Sequence, residues 1–239
     1  KGTKAVYSDG TNVVDTAFTE LSSDYSPQLS ANLDTNSHNI IIDTAHSILD
    51  ENSNEQITFT TAGSAVNEFT IANAGTGAAP SISATGGDAS IDLNITPKGN
   101  GRATFNGQGK IQSVAEKVTT AAVAATGTVA YDVLTQAVLN YTTDASGNWT
   151  LNVRGDGSTS LDSIMDTGES ITVAHIVKQG GTAYYNSAFQ IDGSSVTPEY
   201  QGGAAPTGGN INSLDVYSYT IIKTGSGTFT ALASQTQFA

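Results

Sequence analysis

The sequence predicts an all-β fold, and three observations lead to this prediction. Short runs of alternating apolar and polar residues recur along the chain, with Gly, Asn, Asp or Ser between them. Runs at a spacing of about 8–12 residues are typical of many short strands joined by turns. Only 13% of the residues are charged, against about 25% in an average globular domain, so small polar residues must form much of the surface. The runs become longer and richer after Lys110, which divides the chain into residues 1–110 and residues 111–239.

Residues 1–110 contain strand candidates that are short and dominated by Ala, Ser, Thr and Gly. Strands with such small side chains do not close a large core alone, and they bury their faces by stacking on neighbours or on other chains. We therefore expect an elongated, intertwined β-rich stem. The candidate runs are "KAVYSDG", "NIIIDTAHSI", "EQITFTTAG", "EFTIANAG", "PSISATGG", "ASIDLNITPKG" and "RATFNGQG".

Residues 111–239 contain longer runs, and the alternation is clearest in "SITVAHIV" and "DVYSYTII". These runs predict one compact domain, an antiparallel β-sandwich of jelly-roll type. Trp149 and Tyr217 lie within strand candidates and are expected in its core. His175 alternates with apolar residues, and we expect it to be half-buried or to face solvent. "QGGAAPTGGN", residues 201–210, is expected to form a long loop.

Two segments of the second part raise the question of helices. "VTTAAVAATGTVAYDVLTQAVLNY" is rich in alanine, as a helix would be, but Gly127 interrupts it and the frequent Thr and Val residues favour strands. "LDSIMDTGES", residues 161–170, is typical of a short helical turn that ends at Gly168.

The charge and composition exclude several partners. The formal net charge is −13, and the nine basic residues are scattered, whereas nucleic-acid binding needs clustered Lys and Arg. The sequence holds no apolar run of the roughly 20 residues that a membrane-spanning helix needs. It has no cysteine, which excludes disulfides and thiol chemistry. The chain opens on "KGTKAVYSDG" without Met and in the middle of an element, so we expect it to be the C-terminal part of a longer polypeptide.

The glycine-rich stretch "NITPKGNGRATFNGQGK", residues 94–110, resembles a phosphate-binding loop only superficially. A Walker A loop needs G-x-x-x-x-G-K-[ST], but Thr104 stands at the first glycine position and Ile111 follows Lys110. We interpret the glycines as turns that bracket a short strand, "RATF". Its basic residues are expected to be inter-chain or solvent partners for acids and not ligands for phosphate.

Neither a catalytic site nor a metal site is indicated by the remaining motifs. The tripeptide Arg154-Gly155-Asp156 can act as an integrin ligand on a displayed loop, but it is also common turn chemistry, which is our interpretation. Nothing in the sequence pairs two acids for glycan hydrolysis, and a G-x-S-x-G elbow is missing. The histidines do not have the spacing of metal ligands, so no cofactor is expected; a structural ion at "DTNSHN" or "DASGN" stays open. The sequence therefore predicts that the protein is not an enzyme.

A sugar-binding site requires only an exposed aromatic ring beside amides and carboxylates. Tyr184, Tyr185 and Tyr200 are the candidates for receptor contact. Tyr200 precedes the glycine-rich loop, which makes it the best candidate for an exposed ring.

Three segments of the sequence resemble bacteriophage tail fibres and related virion structural proteins of marine and cyanobacterial phages. These are "SPQLSANLDTNSHNI", "IDLNITPKGNGRATFNG" and the terminal stretch from "NWTLNVRGDG" to "LASQTQFA". The resemblance covers most of residues 25–239, and it transfers no functional residue one by one.

The resemblance implies a homotrimer on the virion, with a stem of residues 1–110 and a tip of residues 111–239. The missing N-terminal region would contact other tail proteins, and the tip would attach to the host surface, most readily to a glycan. A purely architectural virion component, such as a head fibre, a decoration protein or a baseplate-to-fibre adaptor, is the alternative. A depolymerase tailspike is a third hypothesis, and the absence of a long parallel β-helix repeat speaks against it.

Overall fold

A computed structural model describes residues 37–239 and two short strands before them, β1 (Val6–Ser8) and β2 (Val13–Asp15), which pair in antiparallel fashion. The chain divides into two compact units, residues 1–93 and residues 94–239. Strands form nearly all of the regular secondary structure in the described residues, so the prediction of an all-β class is confirmed. The segment "SPQLSANLDT", part of the resemblance to tail fibres, lies outside the described residues.

The first unit contains two further hairpins. β3 (His46–Leu49) pairs with β4 (Glu55–Phe59), and β5 (Asn67–Ala72) pairs with β6 (Ser81–Gly86), each as an isolated two-stranded sheet. The turn after β3 forms because the Asp50 carboxylate accepts hydrogen bonds from the backbone N–H groups of Asn52 and Asn54, both at 2.8 Å.

The large apolar side chains of these two hairpins are exposed. Ile71 and Ile82 are opposite each other in the second hairpin, and their exposed fractions are 73% and 60%. From residue 37 to residue 117, no residue is buried.

Three strand predictions in the first 110 residues need correction. The run "NIIIDTAHSI" forms a strand only from His46 onward, while "ASIDLNITPKG" and "RATFNGQG" have no strand at all. A strand needs a hydrogen-bonded neighbour, and none of the described residues pairs with these segments.

The second unit contains two sheets and one short helix. The first strands are β7 (Val118–Ala124), β8 (Gly127–Asp132), β9 (Val138–Thr143) and β10 (Trp149–Arg154), so the strand interpretation of the alanine-rich segment is confirmed. The remaining elements are α1 (Leu161–Ile164), β11 (Ser170–Lys178), β12 (Asn186–Ile191), β13 (Ser194–Ser195), β14 (Glu199–Tyr200), a 3-10 turn (Gln201–Gly203), β15 (Leu214–Gly225) and β16 (Thr228–Phe238).

The two sheets are mixed, which corrects the prediction of a purely antiparallel, jelly-roll-like order. One sheet has the order β13-β12-β10-β8, and the other has the order β14-β16-β15-β11-β9-β7. From β7 to β12 the chain crosses to the other sheet at every connection. Each strand therefore pairs with the strand two places along the chain, and these pairs are parallel. Only the later β11-β15-β16 ladder and the β12-β13 pair are antiparallel.

One core lies between the two sheets. Trp149 of the smaller sheet contacts His175 and Tyr217 of the larger sheet edge to face, with ring centroids 5.8 Å and 5.3 Å away. Phe189 stacks on Tyr219 at 4.4 Å. The core positions of Trp149 and Tyr217 are therefore confirmed. Burial of each large side chain contributes about 1.5–3 kcal/mol, before entropy is subtracted.

His175 is wholly buried, which corrects the expectation of a half-buried or solvent-facing side chain. The reason is parity: Val173, His175 and Val177 point to the same side of β11, and that side faces the core.

The helix α1 confirms the predicted helical turn, but it ends at Ile164, before Gly168. The Ser160 hydroxyl accepts from the Ser163 N–H, and the Asp192 carboxylate accepts from the N–H groups of Leu161 and Asp162. Gly168, with φ +92°, forms the turn into β11. None of the helices in the described part of the chain has the length and apolar character to cross a bilayer.

Candidate functional site

Tyr200 lies on the short strand β14, at one edge of the larger sheet. It pairs in parallel with Ala233 of β16, and its ring is half-buried against the core. Burial raises the pKa of its hydroxyl, which therefore stays protonated at neutral pH. Tyr200 is thus less exposed than the sequence suggests, but it lines two surface clefts.

The larger of these clefts has a volume of about 410 Å³ and follows the outer face of the larger sheet. Ser218 of β15 is directly opposite Ser234 of β16, and Thr220 is opposite Leu232. Because alternate residues of a strand point to opposite faces, these side chains face outward while Tyr217 and Tyr219 face the core. The cleft is lined by Glu199, Tyr200, Gln201, Ser218, Thr220, Leu232, Ala233 and Ser234.

This cleft, which we call the Tyr200 cleft, offers hydrogen-bonding groups of several kinds. Its hydroxyls donate and accept, the Gln201 amide does both, and the Glu199 carboxylate accepts. The Leu232 side chain, which lies on the same outer face, adds apolar surface. Such a set can bind the hydroxyl groups and the apolar faces of a sugar.

The smaller cleft lies on the other side of Tyr200 and has a volume of about 300 Å³. Its lining combines the apolar residues Phe189, Val196 and Pro198 with the hydroxyl residues Ser187, Ser195 and Thr197. Tyr200 thus lies between two clefts that both mix polar and apolar groups.

Tyr184 and Tyr185 lie in the connection between β11 and β12 and line neither cleft. Both rings are half-buried against the core. Their backbone groups are held firmly: Gln179 donates to the Tyr184 carbonyl at 2.8 Å and accepts from its N–H at 2.9 Å. The Tyr185 N–H donates to Asn148 at 3.1 Å. The structure therefore does not bring the three predicted tyrosines together in one cleft.

A buried carboxylate holds the loop that follows Tyr200. Asp215 is fully buried, and its Oδ2 atom accepts from the Asn210 N–H at 3.2 Å and from Gln179 at 3.0 Å. Gln235 donates to the Gly208 carbonyl at 3.0 Å and to the Tyr217 hydroxyl at 2.9 Å. Burial raises the pKa of Asp215, and these hydrogen bonds oppose the rise. The network docks residues 208–210 onto the end of the sandwich.

The sequence did not identify this network, although it contained a signal. Asp215 precedes Tyr217, Tyr219 and Ile221 at a spacing of two, and this parity places its side chain toward the core. An acid at a core position of a strand indicates a structural or functional role.

The Arg154-Gly155-Asp156 tripeptide forms a turn. Arg154 pairs with Asp132 at 2.7 Å, and Gly155 is buried. The Asp156 carboxylate accepts from the N–H groups of Ser158 and Thr159 at 2.8 Å and 2.7 Å, which lowers its pKa. Both charged side chains are thus engaged within the chain, in agreement with the turn interpretation.

Arg102 of the 94–110 stretch pairs with two acids of the same unit. Its guanidinium lies 2.6 Å from Glu169 and 2.7 Å from Asp166. These contacts raise the pKa of Arg102 and contribute to the lowered pKa of Glu169. Arg102 thus pairs with acids, but within the chain, where the expectation was a pairing between chains or in solvent.

Comparisons of the chain with protein-family models, with curated proteins and with solved structures found no match. Within the described residues, no three His, Cys, Asp or Glu side chains are close enough together to hold a metal ion. The candidate functional site is therefore defined by geometry alone, as the Tyr200 cleft on the outer face of the larger sheet.

Proposed function

We propose that this chain is part of a trimeric bacteriophage tail fibre on the virion. Its last part, which includes the two-sheet unit, would attach to a glycan of the host surface. The proposal assigns it no catalytic step, cofactor, nucleic-acid partner or membrane insertion.

The observation that carries the proposal is the exposure of apolar side chains in the hairpins. Ile57, Phe69 and Ile71 have exposed fractions of 53%, 56% and 73%. A single two-stranded hairpin is at best marginally stable in water, and exposed apolar patches mark interaction sites. Copies of the same chain that pack their hairpins together would bury these side chains, so folding and assembly would be coupled.

Glycan binding is supported by the Tyr200 cleft. A cleft of hydroxyl, amide and carboxylate groups forms few strong contacts with any one sugar. Three copies on one fibre would raise the apparent affinity through avidity without any new contact. Weak sites repeated on a rigid stem suit reversible attachment to a repetitive polysaccharide.

Oligomeric state is the first test. Multi-angle light scattering of the purified chain is expected to give three times the chain mass of 24.4 kDa. An unheated SDS gel is expected to show a band that collapses to the monomer on heating. A monomer at micromolar concentration contradicts the trimeric stem.

Glycan binding is tested on an array of bacterial lipopolysaccharides and capsular polysaccharides. Glu199→Gln and Ser218→Ala are expected to weaken binding about tenfold each, as is usual for the loss of one good hydrogen bond. Thr182→Ala, at an exposed position that is not among the residues lining the Tyr200 cleft, is the matched control.

The outcomes of the array experiment separate the alternatives. A trimer that binds none of the polysaccharides favours a purely architectural virion component. Release of reducing sugar from a bound polysaccharide would indicate a depolymerase.

A further inference from the structure

An apolar groove lies beside the first half of β11, and its volume is about 500 Å³. The connection between β8 and β9, the helix α1 and β11 itself form its walls. Its apolar lining includes Val133, Leu134, Ala137, Ile164 and Ile171, while Arg102 lies at its rim. We call it the β11 groove.

The β11 groove contains a free strand edge. β15 pairs with β11 along the whole of Ser170–Lys178, but β9 pairs only with Ala174–Val177. Among the described residues, no strand pairs with Ser170–Val173 on the β9 side. An apolar groove with an unpaired strand edge is the arrangement that binds an added strand.

A segment of the same chain begins and ends at this groove. Arg102 is held at the rim by Glu169 and Asp166. At the other end, the carbonyl of Lys117 accepts from the N–H groups of Ala137 and Val138. Residues 103–116 between these points form neither helix nor strand.

The 103–116 segment carries three large apolar side chains that are exposed. Phe105, Ile111 and Val114 have exposed fractions of 75%, 70% and 67%. Lys110 and Glu116 are the two charged residues of the segment, so it carries no net charge. The complementarity between the segment and the groove is therefore apolar, between these three side chains and the apolar lining of the groove.

We propose that a second copy of this chain inserts part of its 103–116 segment along the free edge of Ser170–Val173. One of the apolar side chains of that segment fills the β11 groove, and Phe105 is the largest of them. Phe105 of the same chain remains in solvent although Arg102, three residues before it, is held at the groove rim, and this favours a neighbouring copy as the occupant. The inference rests on the proposed trimer and specifies one of its contacts.

The absence of cysteine from the chain makes cross-linking a clean test. Chains with Leu134→Cys and one affinity tag are co-expressed with chains that carry Phe105→Cys or Ile111→Cys and a different tag. Oxidation, or a short bismaleimide, is expected to link the two tags in the same covalent species. Ser226→Cys, in the exposed turn between β15 and β16, replaces Leu134→Cys as the control and is expected to give no link.

A second variant measures the same contact without cross-linking. Phe105→Ser removes an exposed side chain, so a single chain should fold unchanged, as monitored by the fluorescence of the buried Trp149. The trimer is expected to dissociate at a chain concentration about tenfold higher or more, because the burial of one aromatic ring is lost.

Each outcome bears on the inference. The inference is supported if the two tags are linked in the Leu134→Cys mixture but not in the Ser226→Cys mixture, and if the Phe105→Ser trimer is weakened. A trimer that neither cross-links nor weakens overturns the inference and leaves the proposed trimer intact. A monomer by light scattering overturns this inference together with the proposed function.

Discussion

The imidazole of His175 lies edge to face against the indole of Trp149, with ring centroids 5.8 Å apart, at the centre of the two-sheet unit. On its other side, the Tyr141 ring is 5.0 Å away in the same geometry. Among the described residues, neither imidazole nitrogen has a hydrogen-bond partner. Burial lowers the pKa of His175 from 6.5 to about 3, so the folded unit holds a neutral imidazole.

This burial makes the stability of the fold depend on pH. The folded pKa lies below the unfolded one, so the unfolded chain binds more protons between about pH 3 and pH 6.5. Stability is therefore complete above pH 6.5 and falls as the pH decreases. The loss is expected to approach about 1.4 kcal/mol per pH unit.

Urea unfolding at fixed chain concentration, followed by the fluorescence of the single Trp, measures this dependence between pH 7.5 and pH 4.5. His175→Leu is expected to make the unfolding free energy nearly independent of pH between pH 6.5 and pH 5, a range in which ordinary carboxylates remain ionised. Equal pH slopes for the wild type and His175→Leu would show that the buried imidazole is not the cause.

Gly209 is expected to tolerate no side chain. A Cβ atom at this position would lie 2.3 Å from the Tyr184 carbonyl oxygen and 2.6 Å from Oδ2 of Asp215. Gly209→Ala should therefore push the loop away from the Asp215 network, at a cost of about 1–3 kcal/mol of unfolding free energy. Gly208→Ala is the matched control, because the space around its Cβ is open, and its effect should stay within about 0.5 kcal/mol.

Hydrogen exchange distinguishes a displaced loop from a general loss of stability. Amide protons that the network protects, including that of Asn210, are expected to exchange faster in Gly209→Ala at a pH where the core remains protected. Similar melting temperatures and similar exchange in the two variants would contradict the close packing of this loop.

Among the charged residues of the second unit, Lys223 is expected to be one of those whose substitution lowers the unfolding free energy most. It is buried on β15, where its ammonium group donates to the carbonyls of Asp162 and Met165 and pairs with the Asp162 carboxylate at 2.7 Å. The pairing with Lys223 also lowers the pKa of Asp162.

Lys223→Met would leave these acceptors without their donor, and we expect a loss of about 1.5–3 kcal/mol. Lys178→Met is the control, because Lys178 forms a half-exposed ion pair with Asp144 at 2.8 Å and such pairs contribute about 0–1 kcal/mol. Thermal unfolding of both variants under one set of conditions checks the prediction, which fails if the control loses as much stability as Lys223→Met.

Periodicity predicted most strands, because it reports which residues face a core. It placed Trp149 and Tyr217 correctly in the core. The same alternation, applied to every residue of β11 and β15, also places His175 and Asp215 on the core side. Periodicity does not report which strand is the neighbour. The alternation of sheets from β7 to β12 therefore could not be read from the runs, and the parallel pairing was missed.

The candidate sites were less predictable than the strands, for a physical reason. The Tyr200 cleft joins Glu199 to Ser218 and Ser234, and the β11 groove joins Arg102 to Glu169. Each of these contacts joins residues that are far apart in the sequence, and no local pattern encodes it. The segment "RATF" has the alternation of a strand, but its expected neighbour is not within the single chain that the structure describes.

A substitution in the exposed pair Ile71 and Ile82 distinguishes an effect on assembly from an effect on folding. If the hairpins pack against other copies, Ile71→Ser should weaken the trimer about tenfold or more, since burial of an Ile side chain contributes about 1.5–3 kcal/mol. In a monomer the same change at a position that is 73% exposed should have little effect. Asn73→Ser, at an exposed position just after β5, is the control. Sedimentation equilibrium over a range of chain concentrations measures both variants, and equal dissociation constants would argue against hairpin packing as the source of assembly.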